Sequence, residues 1–245
     1  MTERPYTVLP LFEIACEWVQ LRRTFDLAEE YRVKSVKTQR TQPTNGRPKL
    51  VSSSRSASFT VPTLSLKDGN AVAETLQRRL TSLVDLSLTL KHIHWNVVGP
   101  NFIGVHEMLD PHHAGVLTMV DDLAERISTL GGVPSGLPGR LVRDRSWTDY
   151  DVERADAIAH LGALDLVYQG VIADHRAAID TVAELDNISE DLLIGQTGVL
   201  ERYHWFVRSH LEDFAGGMAN AGATSEAGAA RAVAAKRRPP RRATS

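Results

Sequence analysis

One cysteine, Cys16, stands in a chain of 245 residues, which excludes an internal disulfide framework and fits a reducing compartment. No uncharged apolar run approaches the roughly 18 residues that a membrane-crossing helix requires. The opening stretch MTERPYTVLPLFEIACEWV is broken by Glu13 and Glu17 and lacks the basic region and long apolar run of a secretory signal. Internal repeats are missing as well. These absences lead us to expect a cytoplasmic protein. The 42% of hydrophobic residues is enough for a sizeable core, in one domain with tails or two small domains.

Charge is scarce in sum and strongly sorted in sequence. The net charge is -2, yet residues 31–66 carry seven basic and no acidic side chains, and residues 227–245 carry six basic and none acidic. Between them, residues 67–226 hold 12 basic against 24 acidic side chains. An acidic body attracts cations, and basic tails attract polyanions.

From Arg32 to Thr63 the composition (KTQRTQPTNGRPKLVSSSRSAS) predicts a disordered linker, while residues 7–31 mix apolar and acidic side chains as a short amphipathic helix does. Helical periodicity begins at Leu66. A first helix is expected from about Asp68 to Val98, with Ala73, Leu76, Leu80, Leu83, Leu90 and His94 on one face, and a second from about Asn101 to Leu130, stopped by Gly131 and Gly132. A third spans about Thr148 to Leu185. A fourth spans about Ser189 to Phe214, N-capped by Ser189 and burying Leu192, Val199, Tyr203, Phe206 and Leu211. The connection GGVPSGLPGRLVRDRSW is long for a bundle loop and suits a short helix of its own. The expected fold class is all-α, a ferritin-like four-helix bundle with a long connection between helices two and three, flanked by disordered tails. The expected divisions are an N-terminal extension over 1–57, the bundle domain over 58–215 and a flexible basic tail over 216–245.

The candidate chemistry lies in His94, His106, Asp110, Asp121 and Glu125. At about 100° per residue, positions 106, 110, 121 and 125 fall at about 0°, 40°, 60° and 100°, so all four share one helix face. Any one alone reads as a solvated charge; four imidazole and carboxylate groups on one face of a bundle helix read as a metal site. Residues 106 and 121 are about 22 Å apart along a helix and cannot hold one ion within one subunit. Two copies paired antiparallel across a two-fold axis would bring the His106/Asp110 end of one helix to the Asp121/Glu125 end of the other, with His94 completing the imidazole side. Mixed N and O donors suit Fe(II), Mn(II) or Zn(II) without choosing among them. The intra-bundle di-iron alternative needs a pair of Glu-x-x-His motifs. Only Glu201-Arg-Tyr-His204 has that spacing, so Glu201 and His204 read as surface or packing residues.

The blocks KHIHWNVVGPNFIGVHEMLD (91–110) and DDLAERISTLGG (121–132) resemble the Dps family, the DNA-binding proteins from starved cells, and helical resemblance extends from about Ser58 to Glu212. The resemblance implies a ferroxidase centre at a two-fold interface, with His94, His106 and Asp110 from one subunit and Asp121 and Glu125 from its neighbour. It also implies a hollow dodecamer in which Fe(II) is oxidised to Fe(III) by hydrogen peroxide or oxygen and stored as mineral. Trp95, beside His94, is placed either to take up a stray one-electron oxidation or to pack at the interface. SFTVPTLS (58–65) resembles the usual start of a family member. What precedes it is then a basic extension, or sequence upstream of a start at Val51.

Arg231, Lys236, Arg237, Arg238, Arg241 and Arg242 suit sequence-independent binding to DNA phosphates and a nucleoid association, or serve only as a solubilising tail. A nucleoid-packing protein with little or no ferroxidase activity is the competing reading, and the intact ligand set argues against it. A bacterioferritin would need a haem-ligating methionine that the sequence does not identify.

Overall fold

The computed structural model describes residues 57–236. Its helices are α1 (Leu66–Asn96), α2 (Phe102–Thr129), α3 (Pro138–Asp144), α4 (Ala157–Val182), α5 (Asn187–Ser209) and α6 (Glu226–Lys236). Strands β1 (Val97–Val98) and β2 (Ala155–Asp156) pair in parallel, Val97 opposite Ala155 and Val98 opposite Asp156. The four long helices α1, α2, α4 and α5 form the ferritin-like bundle, and the connection between the second and third of them carries α3 and β2. The expectations for residues 7–31 and the 32–63 linker before Ala57, and for Arg237, Arg238, Arg241 and Arg242, lie outside the described residues.

Leu76, Leu80, Leu83 and Leu90 of α1, Val105, Leu109, Val116 and Leu123 of α2, Leu161, Leu164 and Val171 of α4, and Leu193 and Leu200 of α5 make one core. α1 starts where Ser65 Oγ accepts from the Asp68 amide at 3.1 Å. α2 stops at Gly131, whose φ of +84° is followed by a Gly132 amide bond to Ile127 O at 2.9 Å. A Cβ on Gly131 would also lie 2.2 Å from Phe59 O.

Three expectations are corrected. The third long helix begins at Ala157 rather than near Thr148, because residues 155–156 are extended in β2 and Asp156 caps the helix by accepting from Ala159 N at 2.9 Å. The fourth begins at Asn187, capped by Asp186 instead of Ser189, and ends at Ser209, leaving Phe214 fully exposed. Its buried stripe is Leu193, Gln196, Thr197, Leu200 and Val207; Leu192, Val199 and Tyr203 are half-buried and Phe206 is exposed, although Leu211 is buried as expected. Leu192, Val199 and Phe206 offer the same apolar spacing as Leu193, Leu200 and Val207, and only the packing of α5 on its neighbours separates the two sets.

The third correction concerns the segment from Gly216, expected as a flexible tail. Its described part is packed on the bundle. Ala229, Ala230 and Val233 of α6 are buried, and a Cβ on Gly162 of α4 would come within 2.7 Å of Val233 Cγ2 and 3.1 Å of Ala229 O. Asn220 donates to Gly162 O at 3.2 Å and to Asp165 Oδ2 at 2.8 Å. Small residues that read as mobile by composition thus allow close approach of α6 to a matching Gly/Ala face on α4. Arg231 is on this helix, and Lys236 Nζ donates to Met218 O at 3.2 Å.

Candidate metal centre

The turn between α1 and α2 sets the site. Val97 and Val98 are extended, Gly99 and Asn101 have φ of +85° and +65°, and the Phe102 amide donates to Gly99 O at 3.2 Å. This tight reversal lays the last turn of α1 beside the first turns of α2. His94 Nδ1 then donates to His106 O at 3.1 Å, and His106 Nδ1 donates to His94 O at 2.9 Å. A carbonyl can only accept, so each Nδ1 carries the proton. The rings stack at a centroid distance of 3.6 Å. In the neutral rings both Nε2 atoms are then the ligand-type nitrogens, as when a backbone carbonyl orients a metal-binding imidazole.

Asp110, one turn after His106, places Oδ1 at 3.4 Å from His94 Nδ1 and 3.0 Å from Lys91 Nζ. The hydrogen bond from Lys91 holds its carboxyl below the usual carboxylate range. Burial, and next the Lys91 charge, pull the nearby His113 imidazole below its ordinary value. Lys91 and His113 were not singled out from the sequence. Lys91 lies three residues before His94, on the same helix face, and that spacing was a usable signal.

Asp121 and Glu125 are exposed on the far part of α2. The helix is continuous from Phe102 to Thr129, which leaves Asp121 about 22 Å and Glu125 about 28 Å from His106 along its axis. Among the described residues, no three His, Cys, Asp or Glu side chains of one chain converge on a point that could hold a metal ion. The polar stripe borders the buried stripe of Val105, Leu109, Val116 and Leu123 and faces outward from the bundle. Trp95 is 72% exposed on the same end. Glu201 and His204 do not converge: Glu201 pairs with Arg176, and His204 Nε2 meets the buried Asp165 Oδ1 at 2.7 Å. Gln169 and Asn220 donate to the other oxygen of Asp165.

A ferritin-like domain matches residues 73–216. The chain is 55% identical over 173 residues to the DNA protection during starvation protein of Mycolicibacterium smegmatis, covering 71% of this chain and 94% of that one. It is 48% identical over 159 residues to the fine tangled pili major subunit of Haemophilus ducreyi, covering 65% and 84%. Among solved structures, Mycobacterium smegmatis Dps superposes with a TM-score of 0.67 at 54% identity, covering 68% of this chain and 95% of that one. DpsA14 from Streptomyces coelicolor does so with a TM-score of 0.66 at 54% identity, covering 67% and 98%.

Proposed function

The chain belongs to the Dps family of ferritin-like proteins, and from that premise we propose that it is a cytoplasmic miniferritin that oxidises Fe(II), with hydrogen peroxide or oxygen, and stores the ferric product in a homo-oligomeric shell, a dodecamer by family resemblance. The observation that carries this reading is the reciprocal His94/His106 pair, which presents two oriented imidazoles next to the Asp110 carboxylate on an outer face of the bundle.

That set is half of a site. Two antiparallel copies of α2 would bring the Asp121 and Glu125 carboxylates of one subunit to the His94, His106 and Asp110 of the other, twice per dimer. Imidazoles bind Fe(II) and hard carboxylates favour the Fe(III) product, so the mixed set suits iron as substrate in both oxidation states. Lys91 supplies a positive charge to Asp110 before a cation arrives. The basic residues from Arg231 onward would add DNA binding without sequence preference, multiplied by the copies in the shell.

Replacing Asp121 and Glu125 together by Ala tests the site. Peroxide-dependent Fe(II) oxidation should fall to the rate in buffer while the oligomer stays intact by size-exclusion mass analysis. Unchanged turnover would rule out the two-fold site.

A further inference from the structure

Tyr168 and His112 are enclosed in the bundle, 0% and 1% exposed, and the Tyr168 hydroxyl lies 3.0 Å from His112 Nδ1. The His112 ring stacks on that of Tyr203, with centroids 4.1 Å apart at 18°, and lies 5.9 Å from Phe206. The Phe206 ring is 5.1 Å from Trp205, which is 57% exposed. Neighbouring aromatic rings therefore lead from solvent to a buried phenol with a base on its hydroxyl. Space has been made for this column: a Cβ on Gly115 would stand 2.2 Å from Tyr203 Oη.

We propose that Tyr168 is a one-electron oxidation site, with Trp205 as the point of entry, the Phe206 and His112 rings in the path, and His112 as acceptor of the phenolic proton. A buried phenol that lost an electron alone would become a cation in an apolar core, at high desolvation cost. Burial also lifts the Tyr168 hydroxyl well above its ordinary pKa, so phenolate is not a route. A base within hydrogen-bond reach lowers that cost, because the proton crosses as the electron leaves and the charge comes to rest on an imidazolium, a far weaker acid than a phenol radical cation.

In balanced form, a peroxide-derived hydroxyl radical takes one electron from the Trp205 indole and becomes hydroxide. The indole radical is refilled by one electron from Tyr168, whose O–H bond breaks and whose proton passes to His112 Nδ1. A tyrosyl radical and an imidazolium remain, and Trp205 is restored. The imidazolium lies against the face of Tyr203, a favourable cation–π arrangement. Tyr203 itself donates to Pro111 O at 3.3 Å. An amide carbonyl is not a base, so Tyr203 does not hold the radical. Tyr150 has its hydroxyl on His160 Nδ1 at 3.1 Å, but its ring neighbours among the described residues are His92 and His160, with no exposed indole in series.

The test uses the assembled full-length protein without iron, so its outcome is independent of the ferroxidase reading. Azide radicals generated by pulse radiolysis take one electron from indoles, and tryptophanyl and tyrosyl absorbances are followed in time. The parent should show a concentration-independent conversion of tryptophanyl into tyrosyl radical. Trp205→Phe, at an exposed position, should lose that phase; Tyr168→Phe should lose it too and leave a persistent tryptophanyl signal, while Tyr203→Phe and Tyr150→Phe should retain the tyrosyl product. Retention of the phase in Trp205→Phe or in Tyr168→Phe would overturn the proposal, and the exposed Trp205 variant decides it even if the buried variant fails to assemble.

Discussion

His94 and His106 each donate through Nδ1 to the other's main-chain carbonyl, at 3.1 and 2.9 Å, with their rings 3.6 Å apart. Neither imidazole can turn without giving up a hydrogen bond to the partner helix. Each therefore orients the other as well as offering its own nitrogen. Replacing His106 by Ala should lower Fe(II) oxidation by at least about tenfold, since loss of an orienting partner alone costs that much at metal sites. Ferric absorbance after peroxide addition measures it, with the oligomer mass as control; a rate within twofold of the parent would contradict the assignment.

Lys91 occupies the Asp110 carboxylate at 3.0 Å. Removing its charge as Lys91→Met should tighten cation binding by about two- to tenfold, the scale of a partly solvated charge pair. Zn(II) titration calorimetry would read this, and the difference should shrink in high salt. Weaker Zn(II) binding in the variant would show that Lys91 orders the site instead of competing for it.

Acid should weaken the bundle through two buried histidines. Burial pushes His112 and His175 down from 6.5 to about 4. Between those values the unfolded chain binds the proton and the folded chain does not, so stability is full above pH 6.5 and is lost as pH falls towards 4. Each group contributes roughly 3 kcal/mol at most over that window. Denaturant unfolding at pH 7, 6, 5 and 4.5 should show the slope, and His112→Gln should remove about half of it. An unchanged slope in the variant would assign the acid sensitivity elsewhere.

The seat of α6 is tight enough to test by one side chain. A Cβ on Gly162 would meet Val233 Cγ2 at 2.7 Å and the Ala229 carbonyl at 3.1 Å. Gly162→Val should cost about 1–3 kcal/mol as an overpacked contact. It should also raise amide exchange in residues 226–236 before it raises exchange in α1 or α2. Undisturbed exchange in α6 would mean that the contact relaxes without cost.

The order of α6 also changes where a tail deletion should be cut. Removing residues 237–245 deletes Arg237, Arg238, Arg241 and Arg242 and leaves the packed helix whole. Gel retardation of duplex DNA at low salt should be lost or sharply weakened, with iron oxidation unchanged. Full retardation after the deletion would move the DNA contact to another basic segment, of which residues 31–66 are the strongest in sequence.

The four long helices and the outward polar stripe of α2 were legible because each depends on local periodicity. His106 and Asp110 share a face in any helix built on this sequence, and their distance from Asp121 and Glu125 follows from the rise per residue. Gly131 and Gly132 marked a helix end for an equally local reason. The α5 stripe was not legible, since Leu192, Val199 and Phe206 compete on equal terms with Leu193, Leu200 and Val207 until α5 meets its neighbours. The Asp186 cap was missed because it is held by Arg126, 60 residues away in sequence.

By itself, then, the sequence determined the four long helices, though not where the third begins, and the positions of His94, His106, Asp110, Asp121 and Glu125 along them, because backbone hydrogen bonding repeats at fixed intervals. Tertiary structure alone decided which ring nitrogens of His94 and His106 remain for a ligand, that Lys91 rests on Asp110, that His112 stands between two tyrosines, and that residues 226–236 form a docked helix. Each of these requires groups distant in sequence to meet, and such meetings depend on complementary shape and paired donors, which no local pattern specifies.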